Sequence, residues 1–185
     1  MASERVEQRV ARAAGALDAG GIPYAVIGGN AVRVWVATRD RGAVRATKDV
    51  DLLVRAEDAD RIRVALESIG FRQEIVRSLT LFVDPTEQDR RTGVHLVWAG
   101  ERARPSHPHP APDLDERVRA ADENYWVATV GALAKLKLTS FRLKDQLHLL
   151  DLLEVGLIDA SVRSTLPADL LERLREVEAR RDEWE

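Results

Sequence analysis

Asp49-Val50-Asp51 puts two carboxylates at positions i and i+2, at the head of the apolar run Val50–Val54. In a β-strand, side chains alternate between faces. Both aspartates therefore point one way while Val50 and Leu52 point into a core. Two carboxylates on one face repel each other unless a cation neutralises them. Oxygen ligands without any thiolate suit Mg²⁺ or Mn²⁺, and the chain has no cysteine. Mg²⁺ is commonly held by one or two carboxylates and completed by substrate phosphates, which fits nucleotide chemistry. The plain alternative for an Asp-x-Asp pair is solvated turn chemistry at a strand edge.

Two further features stand upstream in order. Gly28-Gly29-Asn30 follows a short apolar run and precedes a helical pattern. Glycine lets the backbone approach a phosphate, and a helix N-terminus offers free N–H groups and a positive dipole end. Residues 38–48 then form a polar, arginine-rich loop in which Arg41, Arg45 or Lys48 can add charge toward a triphosphate. Alone, a Gly-Gly turn is weak and loop arginines are often a solvated face. The specificity comes from the order of all three.

The elements that position these residues follow from periodicity. Val6, Val10, Ala13, Ala14 and Leu17 recur at helical spacing and predict an amphipathic helix, ended by Gly20, Gly21 and Pro23. Tyr24–Ile27 is a buried strand, residues 28–30 a turn, 31–37 a helix, Val50–Val54 a strand and 58–69 a helix closed by Gly70. Residues 71–76, Leu79–Val83 and Val94–Trp98 are strands, with 84–92 a polar connection. Residues 104–112 hold four of the chain's seven prolines and exclude helix or central strand. Beyond them come helices over 130–141, 144–155 and 169–183, the last able to pack on the same chain or on a partner. This predicts an α/β (α+β) architecture, a small mixed sheet with flanking helices plus a C-terminal helical appendage. The expected organisation is a core over 1–104, a proline-rich connection over 105–126 and a helical part over 127–185.

Composition agrees with a folded chain: 45% of residues are hydrophobic, and the net charge of −3 does not suit a protein that coats nucleic acid. Disulfides and thiolate zinc sites are excluded. No membrane span or secretion signal is expected, so the expected location is the cytoplasm. The arginine-rich, alanine-rich usage suggests a GC-rich bacterial genome.

Ile27-Gly28-Gly29-Asn30 with Thr47-Lys48-Asp49-Val50-Asp51-Leu52 resembles the signature of the DNA polymerase β nucleotidyltransferase superfamily. The nearest parallel is to its minimal bacterial members, including toxins of abortive-infection and toxin–antitoxin systems. The segment from Leu133 through Lys135, Lys137, Arg142 and Lys144 to Asp145 resembles the Lys…Arg-x-Lys-Asp helix pair of many such proteins, and the resemblance runs over roughly 24–158. It implies that Asp49 and Asp51 hold two divalent metals and that Gly28, Gly29 and Asn30 cradle the phosphates. Arg45, Lys48 and Lys137 assist. A nucleoside monophosphate then passes from a nucleoside triphosphate to an acceptor hydroxyl on RNA, a protein or a small molecule. A cognate antitoxin is a possible protein partner.

The superfamily usually carries a third carboxylate on a later strand, where this chain has Val94-His95-Leu96-Val97. Alternation puts His95 opposite Val94 and Leu96, facing the site. A neutral imidazole can ligate metal or act as general base. It equally fits lost catalysis with retained nucleotide binding, or a plain structural histidine. Asp84 and Glu101 are the alternative acids, each more simply a strand-end residue. Lys135, Lys137, Arg142 and Lys144 otherwise read as surface charge paired with Asp145 and Asp151. His148 reads as structural, His107 and His109 as a weak metal signal, and Trp35 and Trp98 as core.

Overall fold

The structure is a computed structural model that describes residues 2–76, 79–86 and 92–184. In chain order the elements are α1 (Ala2–Ala19), β1 (Tyr24–Ile27), α2 (Gly28–Ala37), β2 (Val50–Val54), a 3₁₀ turn (Ala56–Asp58) and α3 (Ala59–Ser68). Then come β3 (Arg72–Val76), β4 (Leu79–Val83), β5 (Val94–Trp98), β6 (Arg117–Arg119) and β7 (Trp126–Ala128). The chain ends in α4 (Val130–Ser140), α5 (Leu143–Glu154), α6 (Ala160–Ser164) and α7 (Ala168–Trp184). The α/β architecture expected from the pattern is the one observed.

The strands form one mixed sheet in the order β3-β4-β5-β2-β1-β7-β6. β2 sits at its centre, antiparallel to β1 and parallel to β5. Every residue of β1 is buried, as are Val50, Leu52, Leu53 and Val54 of β2. Such continuous apolar runs belong to strands covered on both faces. Helices α1 and α3 supply Val10, Leu17, Ile62 and Leu66 to the main core.

Helix α2 lies between two cores, which is why its apolar residues run all round it. Ala31 and Val34 join the main core, whereas Val32 and Val36 join a second cluster with Leu138 of α4, Leu149 of α5 and Leu174 of α7. The last helix therefore packs on its own chain. Trp35 bridges the clusters and donates from Nε1 to the Ala128 carbonyl at 2.8 Å. Trp98 packs half-buried against the main core.

Two strands lie where the sequence pattern offered none. β6 and β7 are three residues each, too short for alternation to register, and β7 extends the sheet by pairing with β1. Part of the expected 84–92 connection lies outside the described residues.

Candidate active site

The expected turn at 28–30 is absent: α2 begins at Gly28 itself. Gly28 has φ +67, and that left-handed step takes the chain from strand to helix with no spacer. Ile27 occupies the N-cap position and offers no side-chain cap. The first N–H groups of α2 thus point out from the end of a strand with no side-chain acceptor from the cap.

The register of the sheet aligns the chemistry. Asp51 is opposite Ile27 on one side and opposite His95 on the other. Residues paired across neighbouring strands share a face, so the carboxylate and the imidazole meet above the sheet. Nδ1 of His95 lies 3.4 Å from Oδ1 of Asp51. The proton affinity of His95 is raised, first by the hydrogen bond to Asp51 and then by the charges of Asp51 and Asp49, against burial and Lys144. Asp51 also presses on Gly28: a Cβ there would fall on its carboxylate, 2.9 Å from Cγ.

Asp49 stands just before β2, held by α2, because the Asn30 amide donates to its carbonyl at 2.7 Å. Its carboxylate faces Lys144 of α5 at 3.4 Å. Asn30 is fully buried, so its side chain staples the helix to the aspartate segment instead of facing outward. Thr47 packs under Gly29, whose Cβ would come within 2.7 Å of the hydroxyl. Among the described residues neither that hydroxyl nor Nδ1 of the buried His148 has a hydrogen-bond partner. Burial, then the charges of Lys137 and Lys144, hold the His148 imidazole neutral, down to about 3.

The helical half supplies a buried ion-pair network. Phe141 adopts a left-handed conformation, φ 50, and turns α4 sharply into α5. Lys137, Ser140 and Arg142 thereby converge on Asp145, with Lys137 Nζ at 3.1 Å and Arg142 Nε at 2.9 Å. Lys137 and Asp145 are 5% and 2% exposed, so their charges are fixed on each other. Burial opposes ionisation of Asp145 most, yet Lys137, Arg142 and Ser140 together outweigh it and hold the carboxyl far below its usual range.

Part of this set shares one cleft between the sheet and α4, whereas Asp49, Gly29, Asn30 and Lys144 are not among the residues lining it. Gly28, Asp51, His95, Lys137, Arg142 and Asp145 line it together. The proline segment roofs it. Gly100 and Ala111 are tied by N–H to carbonyl bonds (Gly100 to Ala111, 3.1 Å; Ala111 to Glu101, 2.8 Å), so 101–111 is a closed excursion from the end of β5. His109 anchors it to Asp169 of α7 at 2.8 Å.

Other candidate residues lie elsewhere. Arg45 is bound to the buried Asp151 at 2.7 Å. Lys48 is exposed, and its carbonyl accepts from Arg9 at 3.2 Å. Lys135 pairs with Glu116 at 2.9 Å. Asp84 is held to about 2, first by the Thr86 hydroxyl and then by Arg12 at 2.8 Å. Neither Asp84 nor Glu101 is among the residues lining the cleft. In the sequence Asp145 stood as the end of the Lys…Arg-x-Lys-Asp resemblance or as a surface partner of the basic residues. Its burial beneath Lys137, Ser140 and Arg142 was not foreseen, and the spacing Ser140-x-Arg142-x-x-Asp145 at a helix junction was the available signal.

Among the described residues, no group of three or more His, Cys, Asp or Glu is gathered to hold a metal ion. Asp49, Asp51 and His95 thus form no preassembled metal cage, and a cation held by the two carboxylates would need oxygen ligands from elsewhere, such as substrate phosphates.

No protein-family model and no curated protein matches this chain. Solved structures do match it. An antigenic nucleotidyltransferase-like protein from Paracoccidioides brasiliensis superposes with TM-score 0.64 at 18% identity, covering 98% of this chain and 91% of that one. The solution structure of the antibiotic-resistance factor ANT(2'')-Ia superposes with TM-score 0.50 at 18% identity, covering 97% of this chain and 85% of that one. The chain has the nucleotidyltransferase fold, as its motifs implied. No helix among the described residues is long and apolar enough to cross a membrane.

Proposed function

We propose that this protein binds a nucleoside triphosphate with Mg²⁺ or Mn²⁺ and transfers the nucleoside monophosphate to an acceptor hydroxyl. The observation that carries this is the seating of Asp51 against Gly28 at the start of α2, with His95 in register beside it. Asp49 and Asp51 would hold the metal, which when bound supplies charge neutralisation for the triphosphate. The uncapped N–H groups at Gly28 and Gly29 bind phosphate oxygens. Lys144, beside Asp49, adds a cation at the mouth of the site. The acceptor oxygen attacks the α-phosphorus, the bond to pyrophosphate breaks, and the acceptor proton passes to the His95 ring nitrogen that faces away from Asp51.

A second reading has its own support. With an imidazole at the third carboxylate's place and no preassembled metal cluster among the described residues, the same cleft suits nucleotide binding without transfer. The toxin role and the antitoxin rest on the sequence resemblance alone.

Turnover separates the two. Each nucleoside triphosphate, labelled at the α-phosphate, is incubated with the protein, Mg²⁺ and candidate acceptors, and pyrophosphate release is followed. Release that requires Mg²⁺ and disappears in Asp51→Asn supports transfer. Metal-dependent binding without release supports the binding module.

A further inference from the structure

Beyond His95 the cleft continues between β5 and α4 under the 101–111 excursion. Its floor is apolar, made by Ile27, Val97, Leu133 and Leu136, and its rim carries Arg104, His107 and Arg142. Among the described residues the one other carboxylate lining the cleft, Asp145, is already engaged by Lys137, Ser140 and Arg142. Arg104 is exposed and has no carboxylate partner among the described residues. Arg142 spends only its Nε on Asp145, and 62% of its side chain is open to solvent. From this basic rim over an apolar floor we infer an anion subsite, through which the acceptor enters as a phosphate-bearing molecule with a ring beside the phosphate.

The inference rests on the reading under Proposed function only in calling the ligand an acceptor. In that reading the nucleotide's own phosphates lie at the N-terminus of α2 and on the metal held by the aspartates, away from this rim. His95, placed to take the acceptor's proton, opens onto this part of the cleft. Among the described residues lining it, a polycation would meet two guanidiniums here and no free carboxylate. The field is felt by His107, whose proton affinity is lowered by burial and then by the charges of Arg104 and Arg142.

The test uses the full chain and fluorescence anisotropy or calorimetry. The probes are a short single-stranded ribonucleotide with a free 3′ hydroxyl, ribose 5-phosphate and, as polycation, spermine. The wild type is expected to bind at least one phosphate-bearing probe, more weakly as salt rises. Arg104→Gln/His107→Gln is expected to weaken that binding at least ten-fold, while affinity for nucleoside triphosphate with Mg²⁺ stays within two-fold. Arg142 is left intact because it caps α5. The tighter of the two phosphate probes identifies the source of the phosphate. Binding of spermine alone, no binding of either phosphate probe, or unchanged affinity in the double variant overturns the subsite. A wild type that binds a phosphate probe at this rim but no nucleotide keeps the subsite and removes the nucleotidyl-transfer reading.

Discussion

Gly28→Ala tests the junction on which the site is built. Two costs follow from the structure. The left-handed φ of +67 disfavours any side chain, by roughly 1–2 kcal/mol. The new Cβ also falls on the Asp51 carboxylate, 2.9 Å from Cγ, which forces Asp51 or the start of α2 to move. Overpacking of this kind costs roughly 1–3 kcal/mol. Gly156 is an internal control, because its φ is +70 and nothing lies within 4 Å of the Cβ position. Gly156→Ala should show the backbone cost alone, about 1–2 kcal/mol, with nucleotide binding unchanged. Gly28→Ala should lose roughly 2–5 kcal/mol and also at least ten-fold in Mg²⁺-dependent nucleotide affinity. Urea denaturation measures the first quantity. Calorimetric titration, at a temperature where both variants remain folded, measures the second. Equal losses in both variants, or wild-type affinity in folded Gly28→Ala, would refute the placement of Asp51 against the phosphate cradle.

Other outcomes follow from the same geometry. His95→Ala should change metal-dependent binding or turnover strongly while costing little stability, since a third of the side chain is exposed; a large shift in Tm with unchanged metal response would assign His95 to structure. Asp145→Ala, which strands a buried ammonium, should cost about 3–5 kcal/mol and more than Lys137→Met, which leaves Asp145 with Arg142 and Ser140; denaturation curves in the reverse order contradict the network. His148 is held neutral down to about 3, whereas an unfolded histidine protonates near 6.5. Because the unfolded chain binds the extra proton between those values, stability should fall as pH drops from about 6.5 toward 4, by at most about 1.4 kcal/mol per unit. His148→Gln should flatten that slope, and parallel slopes in the two proteins would show that His148 is not responsible.

Much of the centre of the fold was legible because it obeys period 2. The alternation in Asp49-Val50-Asp51-Leu52 and Val94-His95-Leu96 placed Asp51 and His95 on one side of their strands. The sheet then set them in register. The break at Gly28-Gly29 was visible, but its form was not. A turn is the usual meaning of two glycines, and only the positive φ of Gly28 lets the helix start at once.

What stayed hidden depends on contacts distant in sequence. Arg45 looked free for a phosphate but meets Asp151, 106 positions away. The buried state of Lys137 and Asp145 follows from the turn at Phe141, where a bulky residue adopts a conformation that composition does not suggest. The proline segment excluded regular structure correctly. Its closure through Gly100 and Ala111, and its position over the cleft, are tertiary facts with no local periodicity to announce them.

The central claim is that Asp49 and Asp51, beside the uncapped start of α2, bind a nucleoside triphosphate through a divalent cation. Isothermal titration of each nucleoside triphosphate, using a non-hydrolysable analogue as control, with Mg²⁺ and again with EDTA, tests it in wild type, Asp49→Asn and Asp51→Asn. Wild-type binding should need Mg²⁺ and be lost in both folded variants. Absence of nucleotide binding in the wild type, or Mg²⁺-dependent affinity retained in both variants, would contradict it.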